Sequence, residues 1–155
     1  LEALFLYMEG LEQVVDMNRV KLALQETRLP GRLELFGEQL YLDGAHNPHA
    51  MARLIEFANS LAGKRVKVLF GALKRKDYSG MLEALQVGLP EAELILTTFH
   101  YGEVVAQGDR QDLPYVADYK AYIQEFLEQS RSDEVLFVTG SLYFIAEVRA
   151  FLLEA

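Results

Sequence analysis

With 155 residues, 51% of them apolar and 25% charged, the sequence holds enough nonpolar material for one globular domain with a real core. Its 15 Lys and Arg against 23 Asp and Glu leave a net charge of −8 and no basic stripe, which argues against a nucleic-acid binder. There is no cysteine, so neither a disulfide framework nor a thiolate metal site is available, and no apolar run reaches membrane-spanning length.

Residues 1–15 read as a helical stretch interrupted near Gly10. The apolar opening carries Glu2 and lacks a basic flank, so it is not a signal peptide. Asp16 is placed to cap a second helix over residues 17–27, which Leu29-Pro30-Gly31 stops. Leu33, Leu35, Leu40 and Leu42 then alternate on either side of Gly37-Glu38, the pattern of a hairpin of two short strands. From residue 43 the order becomes regular. A polar loop over 43–48 leads into a helix over 49–62, with Met51, Leu54, Ile55 and Ala58 on one side. A strand over 66–70, a helix over 78–87 and a strand over 93–97 follow. A loop with Gly102, Gly108 and Pro114 precedes a helix over 118–129. A strand over 135–138, a tight Thr139-Gly140-Ser141 turn and a helix over 142–153 complete the chain.

Short, continuously apolar strands alternating with amphipathic helices indicate a mostly parallel sheet covered on both faces, a Rossmann-like α/β architecture. The hairpin adds antiparallel pairing at one edge. In such sheets ligands bind beyond the carboxyl ends of the strands. The loops expected there are 43–48, 71–77, 97–102 and 139–141, and helix N-termini favour anions.

Asp43, His46, Asn47 and His49 crowd the first of these loops. A carboxylate at that point can accept ribose hydroxyl protons or hold a metal through water, and an imidazole can donate to phosphate or exchange a proton. The same residues also make ordinary capped turns. Two histidines three apart lack a third metal ligand in register, so no metal site is assigned. Lys74-Arg75-Lys76-Asp77 places cations near a possible phosphate, or is a solvated run with Asp77 as helix cap. Thr139-Gly140-Ser141 has the form of a small anion nest. Arg32 can be an edge-strand charge, His100-Tyr101 reads as a loop pair without chemistry, and Tyr143, Phe144 and Phe151 read as packing. No phosphate-loop, dinucleotide or nucleophile-elbow motif occurs.

Taken together, Leu29-Pro30-Gly31-Arg32-Leu33-Glu34, Leu42-Asp43-Gly44-Ala45-His46-Asn47-Pro48, Gly71-Ala72-Leu73-Lys74 with Lys76-Asp77, and Thr139-Gly140-Ser141-Leu142-Tyr143 closely resemble folylpolyglutamate and dihydrofolate synthases. They occur in family order over about four fifths of the chain and match the C-terminal domain of the Mur ligase superfamily. The resemblance implies that residues 29–155 form that domain and that residues 1–28 are the tail of a central ATPase domain and its linker. A chain opening on Leu fits a segment of a longer protein. The implied reaction is cytoplasmic and ATP-dependent. A folate carboxylate becomes an acyl phosphate, and L-glutamate's amino group then displaces phosphate. The ligands for Mg2+ belong mainly to the upstream domain, and the isolated chain is expected to be inactive. By resemblance Arg32, Asp43 and His46 contact ATP, with His46 also catalytic, and Ser141 and Lys74 lie on the glutamate and substrate side. Lys74 and Asp77 are weaker matches than the others. Leu29 and Arg75 depart from the family pattern. A peptidoglycan-type Mur ligase domain and a non-catalytic binding module are the alternatives. Assays with folate and muramyl substrates would separate them.

Overall fold

The structure, a computed structural model, describes residues 30–155, and the helices expected over residues 1–15 and 17–27 lie outside them. Strands β1 (Glu34–Phe36) and β2 (Leu40–Leu42) form the hairpin. They are followed by α1 (Pro48–Ser60), β3 (Arg65–Phe70), α2 (Tyr78–Gly88), β4 (Glu93–Thr97), β5 (Tyr115–Val116), α3 (Tyr119–Gln129), β6 (Glu134–Thr139) and α4 (Leu142–Glu154). The strands make one six-stranded sheet in the order β1-β2-β6-β3-β4-β5. Only β1 runs antiparallel, with Glu34 opposite Leu42 and Phe36 opposite Leu40. The other pairings are parallel. The mixed, mostly parallel sheet flanked by helices is the architecture expected from the sequence.

Alternation along each strand sends side chains to two cores. Val68, Phe70, Leu94, Leu96, Val135 and Phe137 face α1 and α2, where Met51, Leu54, Ala58, Met81 and Leu85 are buried. Leu40, Leu42, Leu69, Ile95, Leu136 and Val138 face α3 and α4, where Ile123, Phe126, Phe144 and Val148 are buried. Because both faces of the central strands are covered, β6 reads as a continuous apolar run over residues 135–138 and β3 over residues 68–70. Fully burying each Leu, Val or Phe contributes about 1.5–3 kcal/mol. Tyr41 stacks on Phe137 of the neighbouring strand at 5.1 Å and meets Phe57 of α1 edge-on at 5.1 Å, while Phe99 stacks on Phe144 of α4 at 5.0 Å.

Each helix starts on a polar cap. The Asn47 side chain accepts from the Ala50 amide at 2.8 Å, Asp77 from Gly80 at 2.9 Å, Asp118 from Ala121 at 3.1 Å, and Ser141 from Tyr143 at 3.2 Å. Such caps satisfy amides that the helix leaves open, at about 0.5–2 kcal/mol each. Helix α1 ends two residues earlier than its apolar period predicts. The Leu61 amide bonds Ala58, three residues back, and Gly63 then takes φ +75°. Strand β5 has only two residues, too few to alternate, and exists through its register with Leu96 and Thr97. No helix among the described residues is long and apolar enough to cross a membrane.

Candidate functional site

The loops leaving β2, β6, β3 and β4 all emerge at the carboxyl edge of the sheet. At the β2 corner lies a cavity of about 260 Å3, lined by Gly31, Arg32, Leu33, Asp43, Gly44, Ala45, His46, Ala50, Arg53 and Leu142. It brings Arg32, Asp43 and His46 to one place from opposite arms of the hairpin. Larger hollows exist on the molecule. One, of about 420 Å3, sits between the end of α2 and the start of β4, and is bordered by Leu89, Pro90 and Leu113, with no cluster of chemically active groups.

Asp43 is half-buried and does structural work. One carboxylate oxygen accepts the Leu33 amide at 3.0 Å and the other accepts the Ala45 amide at 2.9 Å. Burial pushes its carboxyl above the ordinary value. The two amides, and then the charges of Arg32 and Arg53, pull in the opposite direction. The loop that Asp43 holds is strained, because Leu33 has φ +44°, a left-handed conformation that costs a branched residue about 1–3 kcal/mol. The Gly44 amide donates to the Gly31 carbonyl at 2.6 Å, and the Gly31 amide donates to Glu34 at 2.8 Å. Glu34 in turn accepts from Arg149 of α4 at 3.1 Å. A chain of bonds from α4 through β1 thus fixes the turn that presents Arg32. A carboxylate has about four acceptor positions, so Asp43 retains capacity for a ligand hydroxyl.

His46 has Nδ1 2.9 Å from the Gly44 carbonyl. A carbonyl only accepts, so Nδ1 carries the hydrogen and Nε2 is the ring nitrogen left for a ligand. A Cβ at Gly44 would stand 2.4 Å from Leu142 Cδ2 at the cavity wall, so a side chain there requires the exposed Leu142 to swing aside.

The remaining sequence candidates lie elsewhere on the edge. Ser141 is 4% exposed and caps α4, so its hydroxyl already serves the Tyr143 amide. Lys74 Nζ pairs with Asp109 at 3.4 Å, and its amide donates to Glu103, tying the 71–77 loop to the loop after β4. Asp77 and Asn47 are helix caps. His49 is exposed. Among the described residues no three His, Asp or Glu side chains converge on a metal-sized site. Arg53, which no sequence motif singled out, completes the cavity wall one helical turn beyond Ala50. The periodicity of α1 could have flagged it, since residues i and i+3 share a helix face. The loop after β4 is more organised than its sequence suggests. His100 Nδ1 lies 3.0 Å from Glu147, the His100 amide donates to the same carboxylate at 3.1 Å, and Tyr119 donates to it at 2.9 Å. Tyr101 stacks on Tyr143 with centroids 3.8 Å apart, both rings partly exposed.

Comparison with known proteins agrees with this architecture. The family model described as "Mur ligase, glutamate ligase domain" matches residues 31–142. The dihydrofolate synthase/folylpolyglutamate synthase of Bacillus subtilis is 31% identical over 96% of this chain, which spans 36% of that protein. The folylpolyglutamate synthase of Lacticaseibacillus casei is 26% identical over 95% of the chain and 35% of the relative. The structure superimposes on the bifunctional folylpolyglutamate synthase/dihydrofolate synthase of Yersinia pestis, solved with AMPPNP and a Mn ion. The TM-score is 0.77 at 26% identity, covering 92% of this chain and 36% of that one. The chain therefore spans about a third of the length of these relatives. The matched segment contains the β2 corner, the loop after β3 and the start of α4, and on that evidence the chain belongs to the Mur ligase family as its glutamate ligase domain.

Proposed function

We propose that this chain is the C-terminal part of an ATP-dependent ligase that adds L-glutamate to folates, a folylpolyglutamate synthase with or without dihydrofolate synthase activity. Residues 29–155 would be the C-terminal domain, and residues 1–28 the tail of the preceding ATPase domain with its linker. The observation that carries the proposal is the cavity at the β2 corner, where Arg32, Asp43 and His46 share one wall. Two further findings support it. The Yersinia pestis relative was solved with AMPPNP and Mn, and a second such bifunctional enzyme, 26% identical with a TM-score of 0.76, was solved with Mn, AMPPNP and L-glutamate.

In the proposed reaction the folate carboxylate takes the γ-phosphoryl group of ATP, releasing ADP. The glutamate amine then forms the amide and expels phosphate. Arg32 offers a planar fork of donors to phosphate oxygens. Asp43 would accept a ribose hydroxyl through its remaining lone pairs. His46, with Nε2 open, would accept a proton from or donate one to the reacting groups. Ser141 and Lys74 are assigned to the glutamate and folate side, where Ser141 acts through the first turn of α4 that it caps. The ligands of the Mg2+ that ATP brings would come mainly from the rest of the polypeptide, and the enzyme would work in the cytoplasm. The chain's contribution is to orient reactants and exclude water from a hydrolysable acyl phosphate.

The test is an NMR titration of the chain with AMPPNP. Shifts should concentrate at residues 31–33 and 43–46 and vanish in Asp43→Ala. Shifts confined to the hollow beside Leu89 and Leu113 would refute the site. In a ligase polypeptide containing this chain, His46→Ala should lower glutamate incorporation about 10²-fold or more. Unaltered turnover would remove His46 from the chemistry.

A further inference from the structure

We infer that Arg53 is a second oxyanion-binding residue of the β2-corner cavity, working as a pair with Arg32. The inference takes its oxyanion source from the ligase reading, but its geometry is independent of that reading. Both guanidinium side chains line the same hollow, and Asp43 is the only acid among the lining residues. Asp43 forms no direct ion pair with either of them among the described residues; its oxygens accept the Leu33 and Ala45 amides, and the two guanidiniums act on it only through their charge. Neither Arg32 nor Arg53 enters an ion pair among the described residues. On a chain of net charge −8, this corner holds two arginine cations against one carboxylate.

The two arginines come from mechanically separate supports. Arg32 rides on the strained turn before β1, held through Leu33 and Gly31. Arg53 rides on the second turn of α1, whose start Asn47 and Pro48 fix. A ligand bridging them would therefore tie the hairpin to α1 across the mouth of the cavity. Guanidinium groups bind phosphate and carboxylate through paired charge-assisted hydrogen bonds, so an oxyanion with two or three free oxygens fits. Its source would be either a nucleotide phosphate or the carboxylate of a glutamate.

The experiment uses the chain itself, with calorimetry and amide-shift titrations against inorganic triphosphate, ATP and L-glutamate. Arg53→Ala should weaken binding of at least one of these about 5- to 20-fold, and Arg53→Lys should recover part of the loss. The affinity should also fall with added salt less steeply in Arg53→Ala than in the wild type. Loss with triphosphate and ATP identifies phosphate as the source, and loss with glutamate alone identifies the carboxylate. Arg53 is exposed, so its removal should leave the thermal midpoint unchanged, which separates binding from folding. If Arg53→Ala binds all three probes as the wild type does, the inference is overturned while the ligase reading stands. If triphosphate binding depends on Arg53 but a polypeptide containing the chain shows no glutamate incorporation, the ligase reading fails and the oxyanion site stands.

Discussion

Asp43 carries two duties that a substitution can pull apart. As a scaffold it supplies one acceptor oxygen to each of two backbone amides. Asparagine keeps a single acceptor oxygen, so Asp43→Asn must abandon either Leu33 or Ala45 and turn an amide donor toward it. An unpaired, partly buried amide costs about 1–3 kcal/mol, and urea unfolding should show a loss of that size. The pH dependence has a definite sign. Burial raises the folded-state pKa of Asp43, so its charged form penalises the fold at neutral pH. That penalty is relieved as pH falls through the folded pKa toward the unfolded one. The stability of the wild type relative to Asp43→Asn should therefore grow on acidification; a gap that narrows would contradict the assignment. Thr139 offers the opposite case. Its hydroxyl is fully buried at the end of β6 and has no hydrogen-bond partner among the described residues. Thr139→Val keeps the shape and deletes the orphan group, so it should stabilise the chain by about 1–2 kcal/mol by the same measurement.

At the scale of elements, the carboxyl edge depends on close backbone approach. Gly140 has φ +117°, and a Cβ there would lie 2.5 Å from the Gly71 carbonyl oxygen. Gly140→Ala meets both strain and a backbone collision, so it should cost more than the roughly 1–3 kcal/mol of the conformation alone and displace the start of α4. The loop after β4 hangs on Glu147. Burial raises that carboxyl, but bonds from His100 and Tyr119 outweigh it and hold its pKa below the ordinary range. The clasp therefore contributes above that range and is lost as pH falls through the lowered value. Amide exchange over residues 98–104 should accelerate there, and Glu147→Gln should show the fast rate already at neutral pH. The sequence revealed most elements because their boundaries have chemical markers. Asp77, Asp118 and Ser141 stand at caps, and the strands between them have apolar centres, residues 94–96 and 135–138. It concealed β5 and the His100 clasp because both are tertiary. Two residues at β5 pair only through β4, and His100 meets Glu147 across 47 positions. The cavity was half visible. Arg32, Asp43 and His46 sit in motifs, whereas Arg53 joins them only through the turn of α1.

For the molecule as a whole, the sheet is sealed on both faces, so its unfinished chemistry lies at one edge. Leu142 is 55% exposed and Tyr143 46% exposed at that edge, beside a cavity open enough to admit a ligand. The chain spans 36% of the Bacillus subtilis relative, and on the proposed reading the site would draw further groups from the rest of the ligase polypeptide. On the proposed reading, this edge would bind one side of a nucleotide and leave the other wet, which would weaken affinity and expose any acyl phosphate to water. The isolated chain should therefore bind AMPPNP in the millimolar range and show no ATP hydrolysis above background in a phosphate-release assay. Joining it to the preceding two thirds of a ligase polypeptide should tighten nucleotide binding by at least about 10²-fold, the gain expected when a second lobe is held at high effective concentration. That gain should disappear with Arg32→Ala, which leaves both lobes folded but unhooks one from the ligand. Tight nucleotide binding or steady turnover by the 155-residue chain alone would show instead that the edge is complete as it stands.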